Sequence, residues 1–373
     1  MALFDENVTI VPTPRRHLPR GTIAGIWALV VALVILLVLT FLPTAYVIQQ
    51  PGPVYDTLGT AKTADGGEVP LIQVEGAETY PTAGTLDLLT VQVVGNRERT
   101  PSWIELAQAW FDRTRAVIPL EEVFPVGQTT EQRNEESAAM MVDSQQEATA
   151  AALSELGYDV GAELTVYSLT DDSAATGILE KDDIIVAVEG QQVADAEEVR
   201  TLVGEQGGEP VTLTIERDGT EQDVTVTPTE SEINGEPVWL LGVTLMHAYD
   251  FPIDVTIQLD NVGGPSAGMM FALGIIDTLT PGELNGGADV AGTGTITGTG
   301  EVGPIGGIRQ KLWGAQEAGA EIFLAPTANC GEVVGHVPGG LQVFAVETLD
   351  DALEVLETVR DDGDLAALPT CTS

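Results

Sequence analysis

The chain has 373 residues, a length that allows two or three domains, and its 44% hydrophobic and 19% charged residues are ordinary for a globular protein. Its 57 Asp and Glu residues outnumber 15 Lys and Arg residues, so the formal net charge is −42. Because a strongly negative field repels phosphate, the composition argues against nucleic acid and anionic lipid surfaces as partners.

The first predicted element is an apolar helix close to the N-terminus. Residues 23–42 carry no charged or strongly polar side chain, and a run of this length can cross the hydrocarbon core of a bilayer. The run is longer than the apolar part of a usual signal peptide, and Pro43-Thr44-Ala45 is a poor cleavage site. We therefore expect residues 21–43 to be an uncleaved signal anchor in a lipid bilayer, with a cleaved signal peptide as the alternative.

The basic residues around this helix indicate its orientation. Arg15, Arg16 and Arg20 precede it, and the next basic residue after it is Lys62. Cytoplasmic flanks are enriched in Lys and Arg, so residues 1–20 are predicted to be a cytoplasmic tail. The sequence thus predicts a single-pass protein of the cell membrane, with everything after the helix on the extracytoplasmic side.

Residues 44–157 form a membrane-proximal region in which strand-like patches precede two helices. Strand residues dominate the early part of this region. Apolar residues then repeat at helical spacing from 100 to 115. A second helical run from 131 to 156 stops before Gly157, which is typical of a glycine that ends a helix.

Short strands, paired turns and one helix follow over residues 158–230. The helix is predicted at 195–203, and a hairpin turns at Asp218-Gly219. This order resembles a PDZ domain of the type associated with bacterial proteases, with Asp182 at a turn position that is usually glycine; aspartate tolerates the left-handed conformation. Such domains bind peptide ends by adding a strand to a sheet edge. The resemblance implies that this edge is Leu164, Thr165, Val166, Tyr167 and Ser168; a small β domain without a working groove is the alternative.

Residues 231–360 alternate strand and helix signals and hold a serine and a lysine in two glycine-rich contexts. Ser266 lies in Gly263-Gly264-Pro265-Ser266-Ala267-Gly268, at the predicted start of a helix over 265–279, where free backbone N–H groups favour negative charge. Lys311 follows Pro304-Ile305-Gly306-Gly307 and lies beside the apolar face of a helix over 308–318. Burial lowers the pKa of a lysine, so a neutral amine can accept the serine proton. A helix-capping serine and a surface lysine are the alternatives.

The two segments together resemble the signatures of the Lon-type serine protease domain, a Gly-Pro-Ser-Ala-Gly nucleophile segment and a Pro-Ile-Gly-Gly segment that leads to a lysine. The resemblance implies that Ser266 is the nucleophile and Lys311 the general base. It also implies that Thr293 supports the lysine through its hydroxyl, with competing candidates at Thr295, Thr297 and Thr299. Gly263 stands where many such domains carry an aspartate, and Asp260 is near but offset.

The order of anchor, PDZ-like region and catalytic segment is similar to that of the membrane-anchored, PDZ-containing Lon-like proteases of Gram-positive bacteria, including the actinobacterial type. The resemblance implies an α+β protein with an N-terminal transmembrane helix, a PDZ-like β domain and a Lon-type α/β proteolytic domain. It further implies that the proteolytic domain is discontinuous. Residues 44–157 would supply its first part and residues 231–360 the rest, with 158–230 inserted between them and 361–373 as a C-terminal tail.

These features predict an enzyme. The sequence contains no Gly-x-x-x-x-Gly-Lys-Ser/Thr segment, and its three scattered histidines are too few for a convincing metal site. We therefore expect an ATP-independent serine endopeptidase, without cofactor or metal, that cuts extracytoplasmic proteins or peptides selected by the PDZ-like domain. A homo-hexamer is implied by the resemblance alone. The alternatives are a Ser-His pair with His247 or His336, a catalytically silent PDZ scaffold at the membrane, and cleavage of the chain's own stalk.

The two cysteines of the chain, Cys330 and Cys371, both fall in the part predicted to lie outside the membrane. An even number of cysteines in an oxidising compartment suggests a disulfide. A bond between them would tie the C-terminal tail to the catalytic region, where tails otherwise fray. Two unpaired thiols are the alternative.

Overall fold

The three-dimensional structure is a computed structural model, which describes residues 19–62, 66–125, 127, 129–170, 172–193, 195–233, 236–259 and 262–372. Within these residues the protein is of the mixed α+β type, with an N-terminal helix, a central sheet covered by helices, and a second, smaller sheet. Most of the predicted cytoplasmic tail lies outside the described residues, as does the offset acidic residue Asp260.

The N-terminal helix, α1, spans Arg20–Phe41. A helix of 22 residues is about 33 Å long, which matches a hydrocarbon core of about 30 Å. Its apolar window has no buried residues, so no other part of the described structure covers it. Among the described residues it is the one helix long and apolar enough to cross a membrane, and a signal sequence near the N-terminus would meet the same criterion.

The region between α1 and the smaller sheet contains strands followed by helices. Its elements are β1 (Tyr46–Asp56), β2 (Thr60–Lys62), β3 (Glu68–Pro70), β4 (Ile72–Glu75), β5 (Thr85–Val94), α2 (Trp103–Phe111), β6 (Ala116–Pro119), α3 (Leu120–Val123) and α4 (Thr130–Glu155). Two of these helices begin at capping boxes, in which Ser102 pairs with Glu105 and Thr129 with Gln132. Each box satisfies two backbone N–H groups that a helix start leaves free, which explains why α2 and α4 begin at these residues.

The region after the smaller sheet alternates strands and helices. Its elements are β15 (Asp254–Ile257), α6 (Gly268–Leu279), β16 (Asp289–Gly292), β17 (Thr295–Ile296), β18 (Val302–Gly303), α7 (Ile308–Ala318), β19 (Ile322–Pro326), α8 (Cys330–Val333), β20 (Gln342–Val346) and α9 (Leu349–Arg360), with 3₁₀ turns at Thr327–Asn329 and Leu365–Ala367. The central sheet has the strand order β20-β19-β16-β5-β1-β6. Strands from before and after the smaller sheet therefore pair with each other, and β5 runs parallel to β16.

Helices cover both faces of the central sheet. Side chains alternate along a strand, so Leu88 of β5 packs with α6 in the larger core while Leu89 packs with α7 on the opposite face. Helix α6 is buried along nearly its whole length. The starts of α6 and α7 meet just beyond the carboxyl end of β16, because residues from these three places form the hydrogen bonds described below.

The smaller sheet is built from residues 161–250 with the strand order β11-β10-β8-β7-β14. Its elements are β7 (Gly161–Leu169), β8 (Ile184–Val188), β9 (Gln191–Gln192), α5 (Ala196–Glu205), β10 (Val211–Arg217), β11 (Thr220–Val226) and β14 (Val243–Asp250), with β12 (Thr229–Ile233) and β13 (Glu236–Leu240) forming a separate hairpin. The predicted hairpin turn has positive φ at Asp218 and Gly219. Asp182 has φ of 69°, so aspartate does adopt the left-handed conformation at the usual glycine position.

The structure corrects the prediction that Leu164–Ser168 forms the edge that receives a peptide. Strand β14 pairs with β7 along its whole length, from Val243 opposite Leu169 to Asp250 opposite Gly161. Strand β14 lies beyond the range 158–230 that the sequence assigned to this domain. In the part of the chain that the structure describes, β14 is the terminal strand at this end of the sheet, with β11 at the other end, so the open edge beyond β7 belongs to β14.

Candidate active site

Ser266 lies in the turn that leads into α6. The structure starts this helix at Gly268 with Ala267 as its N-cap, so the predicted start at Pro265 is three residues too early. Ser266 precedes the cap and therefore does not cap the helix. No hydrogen bond among the described residues uses the backbone N–H of Ser266 or Ala267 as donor, so two donors remain beside the serine hydroxyl.

Lys311 lies in the first turn of α7, and its side chain points inward to the serine. The residue is 1% exposed, so it is not the surface lysine of the alternative interpretation. Its Nζ lies 2.7 Å from Oγ of Ser266 and 2.8 Å from Oγ1 of Thr293. Burial penalises the ammonium form and lowers the pKa of Lys311 from 10.5 to about 7. Near neutral pH this amine can therefore either hold or release a proton.

Thr293 connects the lysine to the backbone of the serine. It follows β16 directly and is fully buried. Its hydroxyl donates to the carbonyl oxygen of Ser266 at 2.9 Å, and the N–H of Gly294 donates to the same oxygen at 3.0 Å. The competing candidates Thr297 and Thr299 are exposed and bond to each other instead. Of the threonines in this segment, Thr293 is the one in contact with Lys311.

Helix α4 supports the loop before Ser266, a role that the sequence did not indicate. The carbonyl of Ser137 accepts from the N–H of Gly264 at 2.8 Å, and the hydroxyl of Ser144 donates to the carbonyl of Pro265 at 2.9 Å. A Cβ at Gly263 would lie 2.3 Å from Oγ of Ser137. A side chain at position 263 therefore requires Ser137 or the loop before Ser266 to move. No local signal could reveal these contacts, because Ser144 and Pro265 are 121 residues apart.

Neither of the described candidate histidines pairs with Ser266. His247 lies on β14, where its Nδ1 is 2.8 Å from a carboxylate oxygen of Glu147 on α4. The other oxygen of Glu147 accepts from the N–H of Gly298. His336 is exposed, and its Nδ1 lies 3.1 Å from the carbonyl oxygen of Val334. Lysine is thus the base candidate that the geometry offers to the serine. Within the described residues no cluster of His, Cys, Asp and Glu could hold a metal ion.

A groove lies between α5 and the beginning of β14. It has a volume of about 350 Å³ and is lined mainly by apolar side chains, among them Val199 and Val203 of α5 and Leu245 of β14. Two backbone N–H groups at its end, those of Leu241 and Gly242, donate to no acceptor within the described residues. The groove thus combines an apolar floor, an open strand edge and free backbone donors.

The C-terminal tail is held to α8 and to β20 of the central sheet. Cys330 at the start of α8 and Cys371 form a disulfide with an S–S distance of 2.02 Å. The carbonyl of Pro369 also accepts from the N–H of Ala345 on β20. Both contacts hold Pro369 and Cys371 at the β20 edge of the central sheet.

Two parts of the chain match known domain families. Residues 256–358 match the model of the Lon protease (S16) C-terminal proteolytic domain, and residues 129–227 match that of the PDZ domain. The first match contains Ser266, Thr293 and Lys311. The second begins on α4 and ends before β14, so the open strand edge lies outside it. One part of the chain is thus similar to Lon-type proteolytic domains, and another part is similar to PDZ domains.

Similar proteins include Lon proteases from several bacteria. The chain is 41% identical to Lon protease 2 of Herpetosiphon aurantiacus and 36% identical to Lon protease of Campylobacter concisus, each over 110 residues. These alignments cover 28% of this chain and 13% of each relative, so the chain spans a small part of their length. A solved PDZ domain of an SdrC-like protein of Listeria monocytogenes is 21% identical, with 22% of this chain and 86% of that one covered and a TM-score of 0.20.

Proposed function

We propose that this protein is a membrane-anchored serine endopeptidase that uses Ser266 as nucleophile and Lys311 as general base. The observation that carries the proposal is the 2.7 Å contact between Nζ of a buried lysine and Oγ of the serine, inside a Lon-type proteolytic domain. A lowered lysine pKa is what a general base near neutral pH requires. The pair needs no histidine, metal or cofactor to transfer an acyl group.

Acylation begins when neutral Lys311 takes the proton from Oγ of Ser266 and Oγ attacks the carbonyl carbon of the scissile peptide bond. The resulting ammonium group then gives this proton to the departing amine, and the C–N bond breaks to leave an acyl-serine. Water, deprotonated by the same lysine, releases the acyl group and restores the serine hydroxyl. The proton account closes within the pair, because Lys311 ends each half-reaction neutral.

Thr293 sets the direction in which the lysine lone pair points. Its hydroxyl proton is engaged with the carbonyl of Ser266, so its oxygen can only accept from Nζ. One N–H of the neutral amine is thereby fixed on Thr293, and the lone pair is left for Oγ–H of the serine. The free N–H groups of Ser266 and Ala267 supply the donors that a developing oxyanion needs, and they do so at the start of a helix.

Helix α1 is proposed to anchor the enzyme, with the catalytic part outside the cytoplasmic membrane. Three arginines precede the helix, and no Lys or Arg lies between the helix and Lys62. This asymmetry favours the proposed orientation. The Cys330–Cys371 disulfide supports it, because such bonds persist in oxidising compartments. We retain the discontinuous proteolytic domain, the absence of an ATP requirement and a hexameric assembly as parts of the same proposal.

The PDZ domain is proposed to select substrates through the groove between α5 and β14. An extended peptide would add a strand to the open edge of β14 and place apolar side chains against Val199 and Val203. The free N–H groups of Leu241 and Gly242 would bind a terminal carboxylate. This assignment replaces the edge predicted at Leu164–Ser168, which is already paired.

Labelling with a serine-reactive fluorophosphonate tests the central step. The full chain in detergent or vesicles should be labelled at a single residue, and the label should be lost in Ser266→Ala. Degradation of an unstructured protein should be lost in the same variant, with and without ATP. Labelling or cleavage that persists in folded Ser266→Ala would overturn the assignment and revive the scaffold hypothesis.

A further inference from the structure

A second cavity lies between the PDZ domain and the proteolytic domain. Its volume is about 860 Å³. Its walls include Leu245, His247 and Tyr249 of β14 on one side and Pro265, the neighbour of the nucleophile, on the other. The peptide-binding strand and the catalytic loop therefore open into the same space.

This cavity adjoins the peptide groove. Ala196 and Arg200 of α5 and Leu245 of β14 line both spaces. A chain lying in the groove thus has a direct route along β14 into the cavity and on to the loop that holds Ser266. Two separate pockets on opposite sides of the domain would offer no such route.

The free backbone donors at Leu241 and Gly242 fix the direction of a bound chain. If they hold the terminal carboxylate, the last residue lies at the beginning of β14, and the preceding residues run toward Asp250, antiparallel to the strand. Going back from its C-terminus, the peptide passes Leu245, then His247, and enters the cavity. The part of the substrate N-terminal to the tail therefore meets the nucleophile.

Helix α4 shows how short the remaining distance is. Its Glu147 contacts His247, and its Ser144, three residues earlier, contacts the carbonyl of Pro265. Three residues of helix rise about 4.5 Å, so the strand and the catalytic loop touch the helix within one turn of each other. From Gly242 to His247 an extended peptide needs about five residues, and we allow a further three to five residues, roughly 10–15 Å of extended chain, for the way from there to Ser266.

The occupant of the groove is the tail of the substrate and not the segment around Cys371. Pro369 is bound to β20 and Cys371 to Cys330, so this segment of the chain does not reach β14. The described edge of β14 pairs with no other strand. What fits is a flexible, apolar C-terminus with a free carboxylate.

We propose that the enzyme measures its cut from the C-terminus of the substrate, so that the bond cleaved by Ser266 lies roughly 8 to 10 residues before the end of the chain. This inference rests on the proposed function and adds its substrate class, proteins with an unfolded, apolar C-terminal tail. The PDZ domain holds the leaving, C-terminal fragment, and the proteolytic domain receives the residues before it. The released products are therefore short peptides of nearly constant length.

The charge of the cavity adds a second preference. Carboxylates outnumber basic groups on its walls, which carry Asp143, Glu147, Asp195, Glu197 and Glu301 against Arg200 and His247. Acidic side chains in the part of the tail that crosses the cavity would be repelled. A tail with an apolar end preceded by basic or neutral residues is the best match.

Peptides that share one apolar C-terminal tail test the proposal on the full chain. In a series with zero, two, four or six Gly-Ser residues inserted between an unstructured reporter sequence and the tail, mass spectrometry locates the cuts. We expect the cleaved bond to stay at a constant distance from the C-terminus and to move through the reporter sequence. Amidation of the terminal carboxylate should raise KM about tenfold and scatter the cuts. Cuts that stay at the same reporter residues, or that ignore amidation, overturn the inference.

A groove variant provides the protein-side comparison. Ala196→Trp fills the junction of the two spaces and should abolish the constant spacing, whereas Thr201→Trp, on the exposed side of the same helix, should keep it. If neither variant changes the spacing, the tail does not pass this junction and the inference fails. The proposed function fails separately, because it requires only that cleavage of the reporter is lost in Ser266→Ala.

Discussion

The loop around Ser266 and the groove between α5 and β14 differ in how their polar groups are exposed to water. At the catalytic loop a charged residue is withdrawn from water: Lys311 is 1% exposed, and each of its neighbours has a fixed hydrogen-bonding role. At the groove the functional groups are those left unpaired, an open strand edge and two backbone donors. Under the proposed function, burial makes the first region reactive and exposure allows the second to bind a peptide. Mutations should therefore act through pKa and geometry in one, and through occupancy in the other.

The largest effect is expected from removing the buried amine. Lys311→Met keeps the length and apolar character of the side chain but cannot accept a proton, so kcat/KM for an unstructured protein should fall at least about 10³-fold. The exposed Lys62 offers the matched control, since Lys62→Met should leave the rate unchanged. Because desolvation of the ammonium group opposes folding at neutral pH, the melting temperature of Lys311→Met should not fall. Activity retained by the folded variant would remove the lysine from the mechanism.

The same burial predicts the pH dependence. The base is the neutral amine, and the pKa of Lys311 is lowered to about 7, so kcat/KM should rise with pH and level off above this value. Below it the rate should fall about tenfold per pH unit, because protonated lysine cannot accept the serine proton. A pH–rate profile on a substrate without ionisable groups measures this directly. If kcat/KM instead rises with a midpoint near pH 10, the lysine is hydrated in the working enzyme.

A smaller effect is expected where the loop meets α4. Gly263→Asp places a side chain against Ser137, whose Oγ would lie 2.3 Å from the new Cβ, so the nucleophile loop must shift. We expect about a tenfold loss of activity and about 1–3 kcal/mol of stability, as for other overpacked sites. The double variant Gly263→Asp with Ser137→Gly should recover part of both. If the single variant is fully active, aspartate is tolerated here and the clash does not explain its absence.

The two regions also differ in how far the sequence reveals them. Ser266 and Lys311 could be predicted as a pair from local patterns, the glycine-rich segments and the residue types themselves, and the structure places Nζ of Lys311 2.7 Å from Oγ of Ser266. The sequence could name Thr293 only as one of several threonines. What distinguishes it from Thr297 and Thr299 is its burial, which only the structure shows. The support from Ser137 and Ser144 has no local signature. It depends on the packing of α4 against the loop before Ser266, and Ser144 is 121 residues away from Pro265 in sequence.

The groove shows the limit of local patterns most clearly. Residues 164–168 and 243–250 both lie in partly buried strands. Neither pattern indicates which strand has a neighbour on both sides. Only the order of strands in the sheet decides that β14 takes the outer position. The prediction for the start of α6 is wrong for a related reason: Pro265 is compatible with a first helical turn, yet it lies in the turn before the helix.

The smallest effect is expected at the contact that joins the two regions. Glu147 bonds to His247 of the PDZ domain and to the N–H of Gly298 of the proteolytic domain. Glu147→Gln keeps the shape but weakens both bonds, and we expect it to lower the free energy of unfolding by about 1–2 kcal/mol. His247→Gln alters the PDZ-domain partner of Glu147 and leaves its bond to Gly298 in place. It should reduce kcat/KM for a substrate with a free apolar tail roughly threefold. The same substrate with an amidated tail should be cut at the rate of the unmodified enzyme. The variant changes the strand that receives a free tail and leaves Ser266 and Lys311 unchanged. An equal fall for both substrates would show that His247 serves the fold and not the passage between groove and nucleophile.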